Sequence, residues 1–396
     1  MRGSIPASKK PCGRGPSTLL ILLSRDADDT VRAGVRAALQ QLGVTVEEIG
    51  LPDREALAVV GECGLPGESL SRIPGVDRVV PLGDPKAPLV HATWSEQGLV
   101  VDLEGAKFGG GHVGVIAGPC TVESREDLLA TAKLVHAAGA VALRGGVFKV
   151  RTSPHSYQGG GLEALDLLEE AAGAVGLPFF TELNDPRQVS EVGDRLQGVQ
   201  IGARHMQNFP LLTEVAALGK PVLLKRHMAA DVDEWLLAAE YLLSSGNDQV
   251  ILCERGVNSP GRHVRYLLDI GVIPYLKARI GLPIVVDPSH AAGHHGLVPD
   301  LARAALAAGA DGLIVEVHPR PEATRCDALQ ALPPDRFQEL LAEFAEVAAL
   351  QGRTLGGLER IERGAAGGAG RPSGRGAGGP RGIVRTDDLS NRSVGA

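Results

Sequence analysis

The 396-residue sequence predicts an α/β protein, a (β/α)8 TIM barrel preceded by a small ferredoxin-like (α+β) domain. Three observations lead there. Eight short apolar runs alternate with helical stretches over residues 113–350. A βαββαβ succession of shorter elements precedes them over 17–84. Aromatic residues are only 3% of the chain, so its core must come mainly from Ala, Val, Leu and Ile, which suits α/β layers better than an aromatic-rich sandwich.

Residues 1–16 lack apolar periodicity and are expected to be a disordered N-terminus. Lys9, Lys10 and Arg14 ahead of TLLILL superficially resemble a secretion signal, but the run is short and Ser24, Arg25 and Asp26 follow it with no small-residue cleavage pattern. It reads as a first strand, 18–25. A helix over 28–43, strands over 44–50 and 56–63, a short helix over 67–75 and a strand over 76–83 complete the small domain, and a Gly- and Pro-containing linker spans 85–112. Barrel strands are predicted over 113–120, 141–148, 178–183, 198–202, 221–226, 249–255, 283–290 and 312–318. Helices fall over 124–139, 162–176, 185–193, 208–219, 231–246, a weaker 263–281, 297–310 and 334–350. Strands apolar on both faces are usually parallel and covered by helices. Eight such units fit a closed barrel, and no Gly-rich dinucleotide fingerprint supports an open doubly wound sheet instead. Residues 351–396, Gly- and Arg-rich from 364, are expected to be a disordered tail.

The net charge of −7 gives no electrostatic case for nucleic acid or an acidic membrane as partner. No apolar stretch approaches the length of a membrane span. The five cysteines, at 12, 63, 120, 253 and 326, are odd in number and widely spaced, which argues against a disulfide framework and for a reducing, cytoplasmic location.

The stretch GLPIVVDPSHAAGHH, 281–295, begins as a buried strand and ends in polar groups. In a barrel the carboxyl ends of the strands share one mouth. Those ends carry Cys120, Arg144, Lys149, Arg151, Glu182, Arg204, Lys225, Arg255, Asp287, His290 and Glu316. Six of them are cations, Arg144, Lys149, Arg151, Arg204, Lys225 and Arg255, and would repel one another unless anions bind among them; a multiply anionic substrate is the natural partner. A second subset, Cys120, His290, Glu316 and the loop residue Asp327, has metal-ligand chemistry. A lone strand-end cysteine is more often a small hydrophobe. Combined with imidazole and carboxylates, it favours Mn, Fe, Co or Zn over Mg. His294 and His295 read as a solvated loop pair, and Cys253 as core.

The segments AGPCTVES, LRGGVFKVRTSP, IGARHMQNFPLL, KPVLLKRHM, DEWLLAAEYLLSSGN, VILCERG, VVDPSH and GADGLIVEVHP together resemble 3-deoxy-7-phosphoheptulonate (DAHP) synthase, in the class whose barrel follows a ferredoxin-like domain, over about residues 17–350. The resemblance implies condensation of phosphoenolpyruvate with erythrose 4-phosphate, the opening step of the shikimate pathway and of aromatic amino acid biosynthesis. By the family pattern, Cys120, His290, Glu316 and Asp327 bind the metal. Arg144, Lys149, Arg204, Lys225 and Arg255 hold phosphoenolpyruvate, while Lys149, Arg151 and Thr152 face the sugar phosphate. Lys149 and Glu182 are candidates for proton handling, and Asp287 is grouped with them as catalytic. The resemblance also implies a homo-oligomer, dimer or tetramer, with tyrosine or phenylalanine as feedback effector on segment 17–84. Val150, His205 and His227 depart from the family's usual Pro, Asn and Gly. Two alternatives stay open: 3-deoxy-octulosonate 8-phosphate synthase, a related barrel that takes arabinose 5-phosphate, and a catalytically idle regulatory subunit. KVRTSP fits the first family better, and no metal or phosphate residue is lost.

Overall fold

The computed structural model describes residues 18–24, 27–50, 55–60, 67–82, 87–95, 97–151, 153–261 and 263–358. Thr152, the N-terminal 1–16, Cys12, Cys63 and the tail beyond 358 lie outside the described residues. The chain divides into two compact units, Met1–Ala92 and Thr93–Ala396.

The first unit runs β1 (Thr18–Leu23), α1 (Asp29–Gln41), β2 (Thr45–Gly50), β3 (Glu55–Val60), α2 (Gly67–Leu70), β4 (Val76–Leu82) and α3 (Pro88–Ala92). Its antiparallel sheet has the order β2-β3-β1-β4, so β1 lies between β3 and β4. This is the ferredoxin-like arrangement. Leu19, Ile21 and Leu23 share one face by the two-residue alternation of a strand and cluster with Val35 and Leu39 of α1. Asp28 starts α1 by accepting the Val31 N–H at 2.9 Å.

The second unit opens with a feature the expected linker hides. β5 (Val101–Leu103) and β6 (Ala106–Phe108) form an antiparallel hairpin. Their two-residue turn, Glu104-Gly105, has positive φ at both positions, 49° and 95°, as a type I′ turn requires. The elements that follow are β7 (His112–Gly118), α4 (Arg125–Ala138), β8 (Ala142–Arg144), α5 (Gly161–Val175), β9 (Phe179–Leu183), α6 (Pro186–Val192), β10 (Gly198–Ile201), α7 (Phe209–Ala216), β11 (Val222–Lys225), α8 (Val232–Ser244), β12 (Val250–Glu254), α9 (Val272–Lys277), β13 (Ile284–Val286), α10 (Pro288–Ala292), α11 (Val298–Ala307), β14 (Gly312–Glu316), α12 (Pro334–Leu350) and β15 (Thr354–Leu355). Strands β7 to β14 pair in parallel, each with the next, and β14 pairs with β7 to close the barrel. β15, within the expected tail, adds to β7 through Thr354 and Leu355.

Hairpin residues Val101, Leu103, Ala106 and Phe108 cluster with the barrel-interior side chains Ile116, Ala142, Phe180, Leu223, Ile251, Cys253, Val285 and Ile314. Phe108 and Phe180 meet edge to face, 6.4 Å between centroids. Gly114 makes room for this plug: a Cβ there would lie 2.3 Å from the Phe108 ring. Helix ends follow their sequence signals, with Asp185 and Asp231 each forming a capping box with the residue three positions on, Gln188 and Glu234. The expected helix over 263–281 is reduced to α9. Upstream of it Val257 exchanges both backbone hydrogen bonds with Leu267, and Tyr266 carries Arg255 over its ring at 4.2 Å, which holds this segment as a loop against the barrel.

Candidate active site

The run IVVDPSH ends its strand at Val286, and the next residues are a helix start. Asp287 is the N-cap of α10, accepting the His290 N–H at 2.9 Å, and Pro288 occupies the first turn, where no N–H is needed. That half-turn carries His290 into the barrel mouth. Its Nδ1 is 2.8 Å from Asp287 Oδ2, and Nε2 faces Glu316 Oε1 at 3.3 Å and Asp327 Oδ2 at 3.8 Å. Cys120, two residues past β7, places Sγ 3.2 Å from the same Asp327 oxygen. The ligand atoms of Cys120, His290, Glu316 and Asp327 all lie within 4.8 Å of one another.

The atoms turned inward are those suited to a cation. Glu316 is 1% exposed, and its Oε1 has no hydrogen-bond partner, whereas Oε2 accepts from Gln330 Nε2 at 2.8 Å. Burial pushes the His290 imidazole below its ordinary value despite Asp287 and Glu316, which keeps a lone pair on the ring. Asp327 stays ionised: burial opposes its charge, but Arg265 and Lys149 hold its carboxyl well below the usual range. The Cys120 thiol is pushed up by its contact with Cys326, by burial and by Glu316, a balance that a bound cation would reverse. One sulfur, one imidazole and two carboxylates fit a divalent transition ion.

A cavity of about 240 Å³ opens beside this cluster. Arg144, Lys149, Arg151, Arg204, Lys225 and Arg255 all line it, as do Glu182, His290 and Asp327. Arg255 is 5% exposed and its Nη1 has no hydrogen-bond partner; burial lowers its affinity for the proton. Buried Arg144 has Nη1 3.3 Å from Glu316 Oε1 in an ion pair without a hydrogen bond. Lys225 Nζ reaches Asp287 Oδ2 at 2.5 Å. Lys149 Nζ donates to Cys120 Sγ at 3.0 Å; burial works against its charge, but carboxylates including Glu182 and Asp327 outweigh burial and keep the ammonium protonated. Glu182 accepts from Gln200 Nε2 at 2.9 Å, and a Cβ at Gly202 would collide with its carboxylate.

Asp287, expected among the catalytic residues, is fully buried behind the cavity wall, with its oxygens on Lys225 and on the His290 ring and backbone. Val150 lines the cavity, but His205 and His227 do not. His294 and His295 stack on each other at 4.7 Å outside the cavity lining, and Cys253 is buried in the barrel core. Among the cavity residues not singled out by the sequence or its family pattern are Cys326, whose Sγ is 3.5 Å from that of Cys120 and accepts from Arg151 at 2.9 Å, and Arg265 and Tyr266 from the loop before α9. Their signal was weak, since none ends an apolar run.

A model of the DAHP synthetase I family matches residues 96–351, which include every one of these side chains. The chain belongs to that family. Among curated members, the phospho-2-dehydro-3-deoxyheptonate aldolase of Thermotoga maritima is 43% identical over 281 residues, covering 71% of this chain and 82% of that protein. A crystal structure of DAHP synthase from the same organism superposes with a TM-score of 0.67 at 36% identity, over 86% of this chain and 99% of that one. A more distant relative, the 2-dehydro-3-deoxyphosphooctonate aldolase of Syntrophotalea carbinolica, is 32% identical over 263 residues, 61% of this chain and 94% of its own. Membership in the DAHP synthetase I family and the barrel fold thus agree, and the octulosonate alternative is the less similar one. No helix among the described residues is long and apolar enough to cross a membrane.

Proposed function

We propose that this protein is a DAHP synthase, condensing phosphoenolpyruvate with erythrose 4-phosphate to give DAHP and phosphate. One observation carries the reading: a cavity walled by seven Lys and Arg side chains, two of which, Arg144 and Arg255, have a buried guanidinium nitrogen without a hydrogen-bond partner, lies directly against a Cys-His-Glu-Asp ligand set. An isolated buried cation is costly, and anionic groups on the substrate would offset that cost. Arg144, Lys149, Arg204, Lys225 and Arg255 are assigned to the phosphate and carboxylate of phosphoenolpyruvate. Arg151, with Lys149 and Thr152, is assigned to the sugar phosphate.

Cys120, His290, Glu316 and Asp327 would hold a divalent cation, which supplies Lewis-acid polarisation of the aldehyde carbonyl. In the reaction, C3 of phosphoenolpyruvate bonds to the aldehyde carbon of the sugar, water adds at C2, and phosphate departs as the C2–O bond breaks. Lys149, protonated in this site, is assigned to donate toward the aldehyde oxygen, and Glu182 to take a proton from the added water. The buried arginines orient phosphoenolpyruvate for attack, which is where fixed geometry lowers the barrier most.

The unit Met1–Ala92 is assigned a regulatory role, with tyrosine or phenylalanine as effector, within a homodimer or homotetramer in the cytoplasm. The test of the reaction follows phosphate release and a seven-carbon sugar acid by mass spectrometry. The expected outcome is one phosphate per product, only with both substrates present, lost on chelation and restored by Mn²⁺. Phosphate release from phosphoenolpyruvate alone, or full turnover in metal-free protein, overturns it.

A further inference from the structure

The two carboxylates of the ligand set are tied to each other by residues outside it. Glu316 ends β14, and Asp327 lies in the loop that follows, with left-handed backbone (φ 57°), which Asp adopts more readily than most residues other than glycine. Gln330 is 2% exposed and uses both ends of its amide. Nε2 donates to Glu316 Oε2 at 2.8 Å, and Oε1 accepts from Arg265 Nη1 at 2.9 Å. The same Nη1 donates to Asp327 Oδ1 at 3.0 Å. The amide orientation is fixed by its neighbours, because a guanidinium only donates and a carboxylate only accepts. Each carboxylate therefore has one oxygen committed outward, which leaves Glu316 Oε1 and Asp327 Oδ2 turned to His290 Nε2. Arg265 comes from a distant segment, the loop between β12 and α9.

We propose that Gln330 and Arg265 form one positioning clamp on the ligand carboxylates, Gln330 orienting Glu316, Arg265 orienting Asp327, and the hydrogen bond between them coupling the two. The proposal deepens the metal reading given above and rests on it. Outer partners of metal ligands typically contribute 10- to 100-fold in metal affinity. The side chain of Arg265 is 37% exposed and opens on the cavity, so a competing role as a substrate-binding cation makes a different forecast.

The experiment titrates metal-stripped full-length protein with Co²⁺ alone, following the thiolate-to-cobalt charge-transfer band from Cys120. Gln330→Leu and Arg265→Ala should each bind Co²⁺ about 10- to 100-fold more weakly than the unsubstituted protein. Arg265→Lys, able to reach one acceptor at a time, should fall between. The double variant should be little worse than the weaker single, because the two act in series. Thermal midpoints of the metal-free variants check folding, and if Gln330→Leu does not fold, Arg265→Ala at the cavity wall decides. Co²⁺ affinity within twofold of the unsubstituted protein overturns the clamp while leaving the metal site standing. So does an Arg265→Ala protein whose KM for phosphoenolpyruvate rises with Co²⁺ affinity unchanged. Absence of the charge-transfer band in the unsubstituted protein overturns the metal reading itself, and the clamp with it.

Discussion

Asp287 Oδ2 lies 2.8 Å from His290 Nδ1. The pair fixes the imidazole tautomer, since a carboxylate only accepts: Nδ1 carries the proton and Nε2 keeps its lone pair toward Glu316 and Asp327. Lys225 shares the same oxygen at 2.5 Å, so one buried carboxylate orders both the His290 ring and a cavity cation. Burial opposes the charge on Asp287, yet His290 and Lys225 hold its carboxyl well below the ordinary range.

Replacing Asp287 by Asn should weaken Mn²⁺ binding by roughly 10- to 100-fold, because the amide is a poorer acceptor for Nδ1 and cannot balance Lys225. Competition with a chelator of known affinity measures it. Unchanged Mn²⁺ affinity would show that His290 is oriented by its backbone alone.

Phe108 fills the barrel interior from the hairpin, fully buried against Phe180 and opposite Gly114. Phe108→Ala should destabilise the protein by about 3–5 kcal/mol, the usual cost of deleting a buried aromatic ring. Urea unfolding followed by tryptophan fluorescence gives the figure, and a loss below about 1 kcal/mol would mean that the plug repacks freely.

The main features of the barrel were legible because each strand is buried on both faces and so appears as an unbroken apolar run such as VILC or GLIV. The hairpin was not, because VDL and AKF are three residues each and their Glu-Gly turn is a weaker signal than Asn-Gly. Cys120, His290 and Glu316 could be found as polar ends of apolar runs. Arg265 and Gln330 could not. Arg265 sits in a loop held by the Val257–Leu267 pairing, and Gln330 ends a single 3-10 turn, so neither has a periodicity to mark it. Asp287 was found, but only the fold shows that it stands behind His290.

Glu254, fully buried beside Arg226, gives a pH signature. Burial raises its carboxyl above the ordinary value, and Arg226 and the Gly256 N–H only partly offset this. The folded state therefore holds the proton more tightly than the unfolded chain, and the contribution to stability is full below the ordinary carboxylate value and is lost as pH rises through the folded one. Glu254→Gln removes the titration, so its thermal midpoint relative to the unsubstituted protein should improve from pH 4.5 to pH 7. A midpoint difference that moves the other way contradicts the sign.

The regulatory assignment of the first unit predicts that tyrosine or phenylalanine inhibits the full-length protein, and that removing residues 1–92 abolishes inhibition while turnover persists. Steady-state rates with each amino acid decide. Indifference of the full-length protein to both would make the unit structural.

The identity of the second substrate is decided by kcat/KM for erythrose 4-phosphate against arabinose 5-phosphate, at saturating phosphoenolpyruvate with Mn²⁺ present. Lys149 and Arg151 both line the cavity, where they are expected to meet the phosphate of the shorter sugar. kcat/KM should clearly favour erythrose 4-phosphate. Equal values, or a preference for arabinose 5-phosphate, would contradict it and move the protein to the octulosonate branch of these barrels.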